Sequence, residues 1–286
     1  MARKYINPSL GGVRLADLRP RAIQGFYSRS LSSAVSAHIV RYCHVTLHAC
    51  LRYAVRLQML PRNPCDACEP PKAPKAKVRS LTDAELSAVL GRAKNTVLEM
   101  AIYLAATCGL RRGEALALRW AAVDLEAGLL RVRESLEKSR PGLTFKGPKT
   151  EKSRRTIRIP ATTLALLRRH RTSQVSQRLA VGPAYRDLDL VIARSDGSPV
   201  DPAWLSKEFT KVARSAGITD IHYHCLRHTA ATTMLRLNVH PKVVGEMLGH
   251  STTALTLDTY SHVTPVLQDD AARRLDEVFS TIVKGA

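Results

Sequence analysis

The stretch HYHCLRHTAATTML, residues 222–235, places three histidines around one arginine in a segment whose apolar residues have helical spacing. His224 and Arg227 are three residues apart and therefore share one helix face, and His228 lies one turn beyond His224. The same spacing occurs in zinc-binding helices, but Cys225 stands where metalloproteases carry a glutamate base. Because an arginine inside the motif repels a cation, the stretch favours an anion-binding helix over a zinc site.

A second arginine motif, GLRRGEAL, occupies residues 109–116. Gly109 breaks the preceding helix, so Arg111 is predicted near the start of the next one, where backbone N–H groups and the helix dipole favour an anion. Glu114 follows three residues later and can hold Arg111 through a charged hydrogen bond. The alternatives are a solvated Arg111–Glu114 surface pair, or a role for the adjacent Arg112 in place of Arg111.

Three further candidates lie outside these motifs. The segment LTFKGPKTEKSRRTIRIP is predicted to form two strands around a turn, with Lys149 near the turn and Lys146 and Lys152 as alternatives on the same hairpin. A lysine on such a hairpin is most often only solvated. MLGHSTTALTLDTYSH, residues 247–262, contributes His250 and Tyr260, and its small, hydroxylated residues are unlike the surroundings of a core tyrosine.

These residue types together indicate chemistry on a phosphodiester. Guanidinium groups bind phosphate oxygens in pairs, lysine and histidine transfer protons, and a tyrosine hydroxyl is a usable nucleophile once its proton is accepted. The sequence has no paired-carboxylate metal site, no glycine-rich phosphate loop and no Gly-x-Ser-x-Gly nucleophile motif. The pattern therefore favours transesterification on DNA without a metal ion.

The charge distribution points to the same kind of partner. The chain has 286 residues and a formal net charge of +20, and residues 1–79 hold fourteen Lys and Arg against three acidic residues. This concentration favours nucleic acid over an anionic membrane, or over a chain that is basic only for solubility. No apolar run reaches the length of a membrane span, and the N-terminal residues lack a signal-peptide core. We therefore expect a cytoplasmic protein without a membrane partner.

The order of predicted elements gives the fold class. Residues 20–60 have helical spacing, and the segment 69–80 holds three prolines and four basic residues, which is typical of an extended linker. Thr82 and Glu85 then have capping-box spacing. Later helices are predicted over 95–107, 161–180, 201–216, 225–238 and 241–248. We predict a mainly α fold with a small antiparallel β-sheet (α+β), divided into residues 1–68, 69–80 and 81–286.

At these motifs the sequence resembles the tyrosine recombinases, the phage-integrase type of site-specific recombinase. The resemblance extends over essentially the whole chain from about residue 5 and is densest over residues 80–265. The family signature is an ordered series of Arg, Lys, His-x-x-Arg, His or Trp, and Tyr. The matching residues here are Arg111, Lys149, His224, Arg227, His250 and Tyr260.

The resemblance implies a role for each matched residue. Tyr260 attacks the scissile phosphate and forms a 3′-phosphotyrosyl link, Lys149 protonates the leaving 5′-oxygen, and His224 assists proton transfer at the tyrosine. The resemblance also implies that no ATP, catalytic metal or other cofactor is needed. The non-bridging oxygens are bound by Arg111, Arg227 and His250, with Glu114 and His228 in support.

The resemblance further implies partners and a domain plan. Residues 1–68 correspond to a helical core-binding domain that contacts DNA, here expected to be shortened at its N-terminus, and residues 81–286 correspond to the catalytic domain with its C-terminal helix. The implied partners are double-stranded DNA with specific recombination sites, further copies of the chain in a homotetramer on that DNA, and DNA-bending or directionality proteins.

Two other functions remain open on sequence grounds. The first is a catalytically inactive remnant of a mobile element that acts as a DNA-binding or regulatory protein. The second is a zinc hydrolase that uses the histidine cluster. Six cysteines are present, and without a secretory signal we expect reduced thiols. Cys65 and Cys68 have half of a zinc-site spacing, but no second pair follows nearby.

Overall fold

The computed structural model divides the chain into two compact units, Met1–Lys77 and Val78–Ala286. This division falls inside the segment 69–80 that the sequence predicts as a linker. The roles assigned to residues 1–68, 69–80 and 81–286 remain predictions. The structure describes residues 1–73, 79–140, 142–147, 154–249, 272 and 275.

The first unit is a helical domain with its own core. Its α-helices are α1 (Asn7–Leu10), α2 (Pro20–Ser32) and α3 (Ala37–Arg56). Pro20 opens α2, where its missing N–H costs nothing, and the Ser36 hydroxyl caps α3 by accepting from the Ile39 amide. Both helices predicted within residues 20–60 are confirmed. Their buried faces meet around Ile23, Phe26, Tyr27, Val40 and Cys43.

The second unit is built around one central helix. This helix, α5 (Val97–Cys108), is buried at seven of its twelve positions, which agrees with its almost uniformly apolar sequence. The capping box predicted for Thr82 and Glu85 is confirmed at the start of α4 (Asp83–Ala93). Up to residue 249, the described α-helices of this unit are α4, α5, α6 (Arg112–Ala117), α7 (Ala161–Val181), α8 (Pro202–Ser215), α9 (His224–Arg236) and α10 (Pro241–Leu248).

The described residues of the second unit also form two small antiparallel sheets, and these correct the predicted hairpin. The strands are β1 (Val123–Asp124), β2 (Leu129–Val132), β3 (Ser135–Ser139), β4 (Gly142–Lys146) and β5 (Arg155–Arg158). Both strands predicted in LTFKGPKTEKSRRTIRIP exist, but β4 pairs with β3, whereas β5 pairs with β2. Leu130 and Ile157 face each other in the β2–β5 pair and are fully buried. An apolar cross-strand pair therefore selects the partner of β5, which alternation along a single strand cannot reveal.

The fold is thus mainly α with small antiparallel sheets, as the sequence predicted. None of the helices in the part of the chain that the structure describes is long and apolar enough to cross a membrane.

Candidate active site

The corner between α5 and α6 positions the first arginine. Gly109 ends α5 with φ +65°, and a Cβ at this position would lie 2.4 Å from Cδ2 of Leu248. Both the left-handed backbone and the close approach therefore require glycine. Arg111 is the residue that precedes α6, as predicted. The neighbouring Arg112 is exposed and donates from Nη1 to the Ser206 hydroxyl at 2.6 Å.

Glu114 holds Arg111 through two hydrogen bonds, which confirms the predicted contact. The backbone N–H of Arg111 donates to Oε2 at 2.8 Å, and Arg111 Nη1 donates to Oε1 at 2.8 Å. Only 7% of the Glu114 side chain is exposed, compared with 40% for Arg111. The alternative of a solvated surface pair is therefore wrong, because the carboxylate lies inside the domain while the guanidinium reaches the surface.

A third arginine, Arg155, shares the same carboxylate and was not identified from the sequence. Its Nη2 and Nη1 donate to Glu114 Oε2 and Oε1 at 2.8 and 3.1 Å, and its side chain is 6% exposed. The sequence does contain a signal for this residue. Arg155 is two positions before the buried Ile157 on β5, so strand alternation points it toward the interior.

The electrostatics of this cluster keep Glu114 ionised. Burial alone raises the pKa of a carboxyl group, but the hydrogen bonds and charge of Arg155, followed by those of Arg111, outweigh this effect. The result is a pKa of about 2 for Glu114. The carboxylate is therefore a fixed negative support for both guanidinium groups at physiological pH.

Arg227 is held by the ends of two helices. Its side chain is buried on α9, where Nη1 donates to the carbonyl of Gly109 at 2.6 Å and Nη2 donates to the carbonyl of Leu248 at 2.5 Å. Tyr223, directly before α9, donates from its hydroxyl to the Ala101 carbonyl at 2.6 Å and fixes the start of this helix against α5. Arg227 is thus oriented by backbone atoms on both sides.

His224 begins α9 and presents an exposed imidazole beside these arginines. Its ring contacts that of His228 edge-to-face, with 4.6 Å between the ring centroids. Partial burial of the ring lowers its pKa, and the positive charges of Arg227, His222 and Arg111 act in the same direction, to about 4. Solvent reaches the ring, but the cationic neighbours lower the pKa in any case. His224 is therefore neutral at pH 7 and can accept a proton.

A cleft of about 760 Å³ opens two of the candidate residues, Arg111 and His224, to solvent. It lies between the start of α6, strand β3, the start of α8 and residues 222–224, and its basic lining residues are Arg111, Arg112, Lys138, His222 and His224. A cavity of about 810 Å³ near the start of α5 is larger but contains none of the predicted site residues. The chemistry of its lining therefore makes the smaller cleft the candidate active site.

Three predicted residues, Lys149, His250 and Tyr260, lie outside the described residues, as does the alternative Lys152. The other alternative, Lys146, ends β4 and pairs with Glu137 at 2.9 Å. In the described parts of the chain, no group of three His, Cys, Asp or Glu residues is arranged to hold a metal ion. Cys65 and Cys68 are buried thiols, and Cys68 donates to the backbone carbonyl of Pro64.

Comparison with known proteins identifies the family to which this fold and site belong. Residues 79–266 match the model of the phage integrase family, which is more than half of the chain. The chain belongs to this family, and it is a tyrosine-type site-specific recombinase.

Individual relatives agree with this membership. The chain is 29% identical to a XerC-like tyrosine recombinase of Caldanaerobacter subterraneus subsp. tengcongensis, over 97% of this chain and 76% of the relative. It is 28% identical to an integrase of Streptomyces ambofaciens, over 95% and 72% of the two chains.

Solved structures share the fold at lower sequence identity. The Tn1549 transposon integrase in complex with a circular intermediate DNA has a TM-score of 0.77 at 17% identity, covering 92% of this chain and 88% of that one. A lambda integrase dimer bound to a COC′ core site has a TM-score of 0.67 at 18% identity, covering 90% and 85%.

Proposed function

We propose that this chain breaks and rejoins double-stranded DNA at specific recombination sites by metal-independent transesterification through a 3′-phosphotyrosyl intermediate. One observation carries the proposal. Arg111 comes from one part of the sequence, and Arg227 and the neutral His224 come from another, and the three residues meet around the end of α5. Two oriented guanidinium groups beside a proton acceptor suit the charge that develops on a phosphate during substitution.

The reaction exchanges one phosphodiester for another. The Tyr260 hydroxyl oxygen bonds to phosphorus as the bond from phosphorus to the 5′-oxygen breaks. His224 accepts the tyrosine proton, and Lys149 donates a proton to the leaving 5′-oxygen. A 5′-hydroxyl then attacks the phosphotyrosyl link to rejoin the strand. Because each step retains a phosphate ester, no external energy source is required.

The remaining residues bind the anion and hold its ligands in place. Arg111 and Arg227 contact the non-bridging oxygens, and His250 supplies a further donor. Removing one preorganised donor of this kind typically costs on the order of 10²–10³ in rate. Glu114 fixes Arg111, and His228 packs against the ring of the proton acceptor.

We also propose the partners and the division of labour. The net charge of +20 supports a DNA partner, and solved integrases of the same fold are complexes with DNA. Residues 1–68 form the core-binding domain, residues 69–80 the linker and residues 81–286 the catalytic domain. The chain acts on cytoplasmic DNA as a homotetramer, with DNA-bending or directionality proteins setting the outcome.

A trapping selection from random DNA tests the chemistry and identifies the target site in one experiment. The full chain is incubated in EDTA with nicked duplexes of random internal sequence, so that cleavage releases a short 5′-hydroxyl strand and leaves the protein covalently attached. Adducts that survive denaturation are recovered and sequenced, and the enriched sequence defines a trap duplex. We expect wild-type protein to give adducts and Tyr260→Phe to give none.

Each other result points to a different function. Adducts that persist in Tyr260→Phe contradict the assignment of the nucleophile. Sequence-dependent binding without any adduct supports a DNA-binding regulator. DNA hydrolysis that EDTA abolishes supports the zinc hydrolase. Sedimentation of the complex with the trap duplex tests the tetramer, and a complex that stops at a dimer overturns that part of the proposal.

A further inference from the structure

Three guanidinium groups converge on the C-terminal end of α10. Arg155 Nε donates to the carbonyl of Met247 at 2.6 Å. Arg227 and Arg111 donate through Nη2 to the next two carbonyls, Leu248 at 2.5 Å and Gly249 at 3.1 Å. The last carbonyls of a helix lack intrahelical donors and carry the negative end of its dipole. Three consecutive carbonyls are therefore each bound by a different arginine.

Arg155, like Arg111, joins the helix end to Glu114, and it does so with both terminal nitrogens on the carboxylate. Its two terminal nitrogens lie on the carboxylate that also holds Arg111, while its Nε binds Met247. A planar guanidinium suits this double task because its donors point in fixed directions, and a lysine cannot reproduce them. With 6% of its side chain exposed, Arg155 acts from inside the protein.

The backbone beyond α10 is shaped around the same side chain. Gly249 has φ +65°, and a Cβ there would lie 3.1 Å from Nη1 and 3.3 Å from Cδ of Arg155. Gly249 directly precedes His250 in the sequence, and Tyr260 follows eleven residues after the glycine. The backbone of the last described residue before His250 is thus shaped where Arg155 makes its contacts.

We propose that Arg155 is a positioning residue for strand cleavage, which fixes the end of α10 to the Arg111–Glu114 pair and so aligns His250 with the scissile phosphate. This inference rests on the proposed function. A misplacement of about 1 Å in a preorganised site can cost on the order of 10²-fold in rate. Loss of Arg155 should therefore slow the chemical step much more than it weakens DNA binding.

The test compares Arg155→Met and Arg155→Lys with Arg158→Met. Arg158 is the matched control because it lies on the same strand, three residues later, and is exposed. Single-turnover cleavage of the trap duplex is measured at saturating protein, well below the melting temperature, together with the Kd. We expect Arg155→Met to cleave about 10²-fold more slowly with a Kd within about threefold of wild type, and Arg158→Met to match wild type. The cleavage rate of Arg155→Lys should lie between those of wild type and Arg155→Met. If Arg155→Met does not fold, the comparison of Arg155→Lys with wild type takes its place.

Two further measurements separate positioning from general loss of structure. A purely structural role lowers the fraction of active protein but leaves the rate of the remaining fraction unchanged, and that result overturns the proposal. If Arg155 acts through His250, then Arg155→Met should slow cleavage clearly less in a His250→Ala background than in wild type. Equal effects in both backgrounds overturn the proposal as well.

Hydrogen exchange distinguishes failure of this inference from failure of the proposed function. It is measured on the DNA-free protein for a peptide covering residues 241–249, with a peptide from α5 as the internal reference. We expect Arg155→Met to accelerate exchange in the first peptide only. If wild-type protein forms no adduct, the proposed function fails. Independently of that result, unchanged hydrogen exchange of residues 241–249 in Arg155→Met would overturn the positioning role.

Discussion

Replacing Glu114 by glutamine should destabilise the second unit in a pH-dependent way. The Glu114 pKa of about 2 lies below the ordinary carboxyl value of 4.5, so its ionised form stabilises the folded state. The difference between these two pKa values corresponds to about 3 kcal/mol of folding stability at neutral pH. Because the folded pKa is the lower one, this contribution is present above pH 4.5 and is lost as the pH falls toward 2. Between about pH 5 and about pH 3 it should shrink by about 2 kcal/mol.

The assay is urea unfolding followed by tryptophan fluorescence. Both tryptophans of the chain, Trp120 and Trp204, lie in the second unit, so the signal reports on that unit alone. We expect Glu114→Gln to lower the free energy of unfolding by about 3 kcal/mol at pH 7, since Arg155 then loses its buried counter-charge. The gap between variant and wild type should narrow as the pH falls from 5 to 3.

The exposed Glu126 provides the matched control for this experiment. Glu126→Gln should change the free energy of unfolding by less than about 0.5 kcal/mol at either pH. A Glu114→Gln effect that is equally large at pH 3 and pH 7 would refute the electrostatic reasoning, because a loss of packing alone does not depend on pH. An effect below about 1 kcal/mol at pH 7 would refute the importance of the cluster itself.

Two other predictions concern His224 and a glycine. The neutral form of His224 accepts the proton, so cleavage of the trap duplex should fall as the pH decreases toward the pKa of this imidazole, about 4. A pH–rate profile of His224→Gln should lack this limb, and a limb that persists would assign it to another group. In Gly109→Ala, the new Cβ would lie 2.4 Å from Cδ2 of Leu248, at a residue whose φ is +65°. This variant should therefore destabilise the second unit by at least about 1 kcal/mol in the same urea assay. The control is Gly91→Ala on α4, where the new Cβ meets no atom within 4 Å, so this variant should stabilise the second unit by up to about 1 kcal/mol. If both variants changed the free energy of unfolding in the same direction, the geometric argument would be wrong.

Local sequence signals predicted the parts of the fold that local physics controls. Gly109 ends α5, Arg111 precedes α6 and Thr82 caps α4, because each of these features depends on residues within one turn of helix. The pairing of β5 with β2 was missed, since it depends on the burial of Ile157 against a residue far away in sequence. Alternation shows that a segment is a strand, but not which strand it joins.

The same distinction separates the predicted site residues from Arg155. Arg111, His224 and Arg227 stand in short motifs with recognisable spacing, whereas Arg155 stands next to Arg154 and three residues before Arg158. Only its inward register, shared with Ile157, distinguishes it from its neighbour Arg154. Its partners, Glu114 and Met247, are supplied by the tertiary fold. A sequence can therefore indicate that such an arginine is buried, but it does not show which groups it connects.

The use of backbone carbonyls explains how the site can be strongly cationic before DNA binds. Among the described residues, Arg111 and Arg155 share the single carboxylate of Glu114. Further carboxylates would hold the guanidinium groups equally well, but they would also compete with phosphate for the same donors. Two left-handed glycines supply weaker acceptors instead, since Gly109 accepts from Arg227 and Gly249 accepts from Arg111. A neutral carbonyl orients a guanidinium without cancelling its charge, so these two glycine contacts preorganise Arg227 and Arg111 without any loss of positive charge.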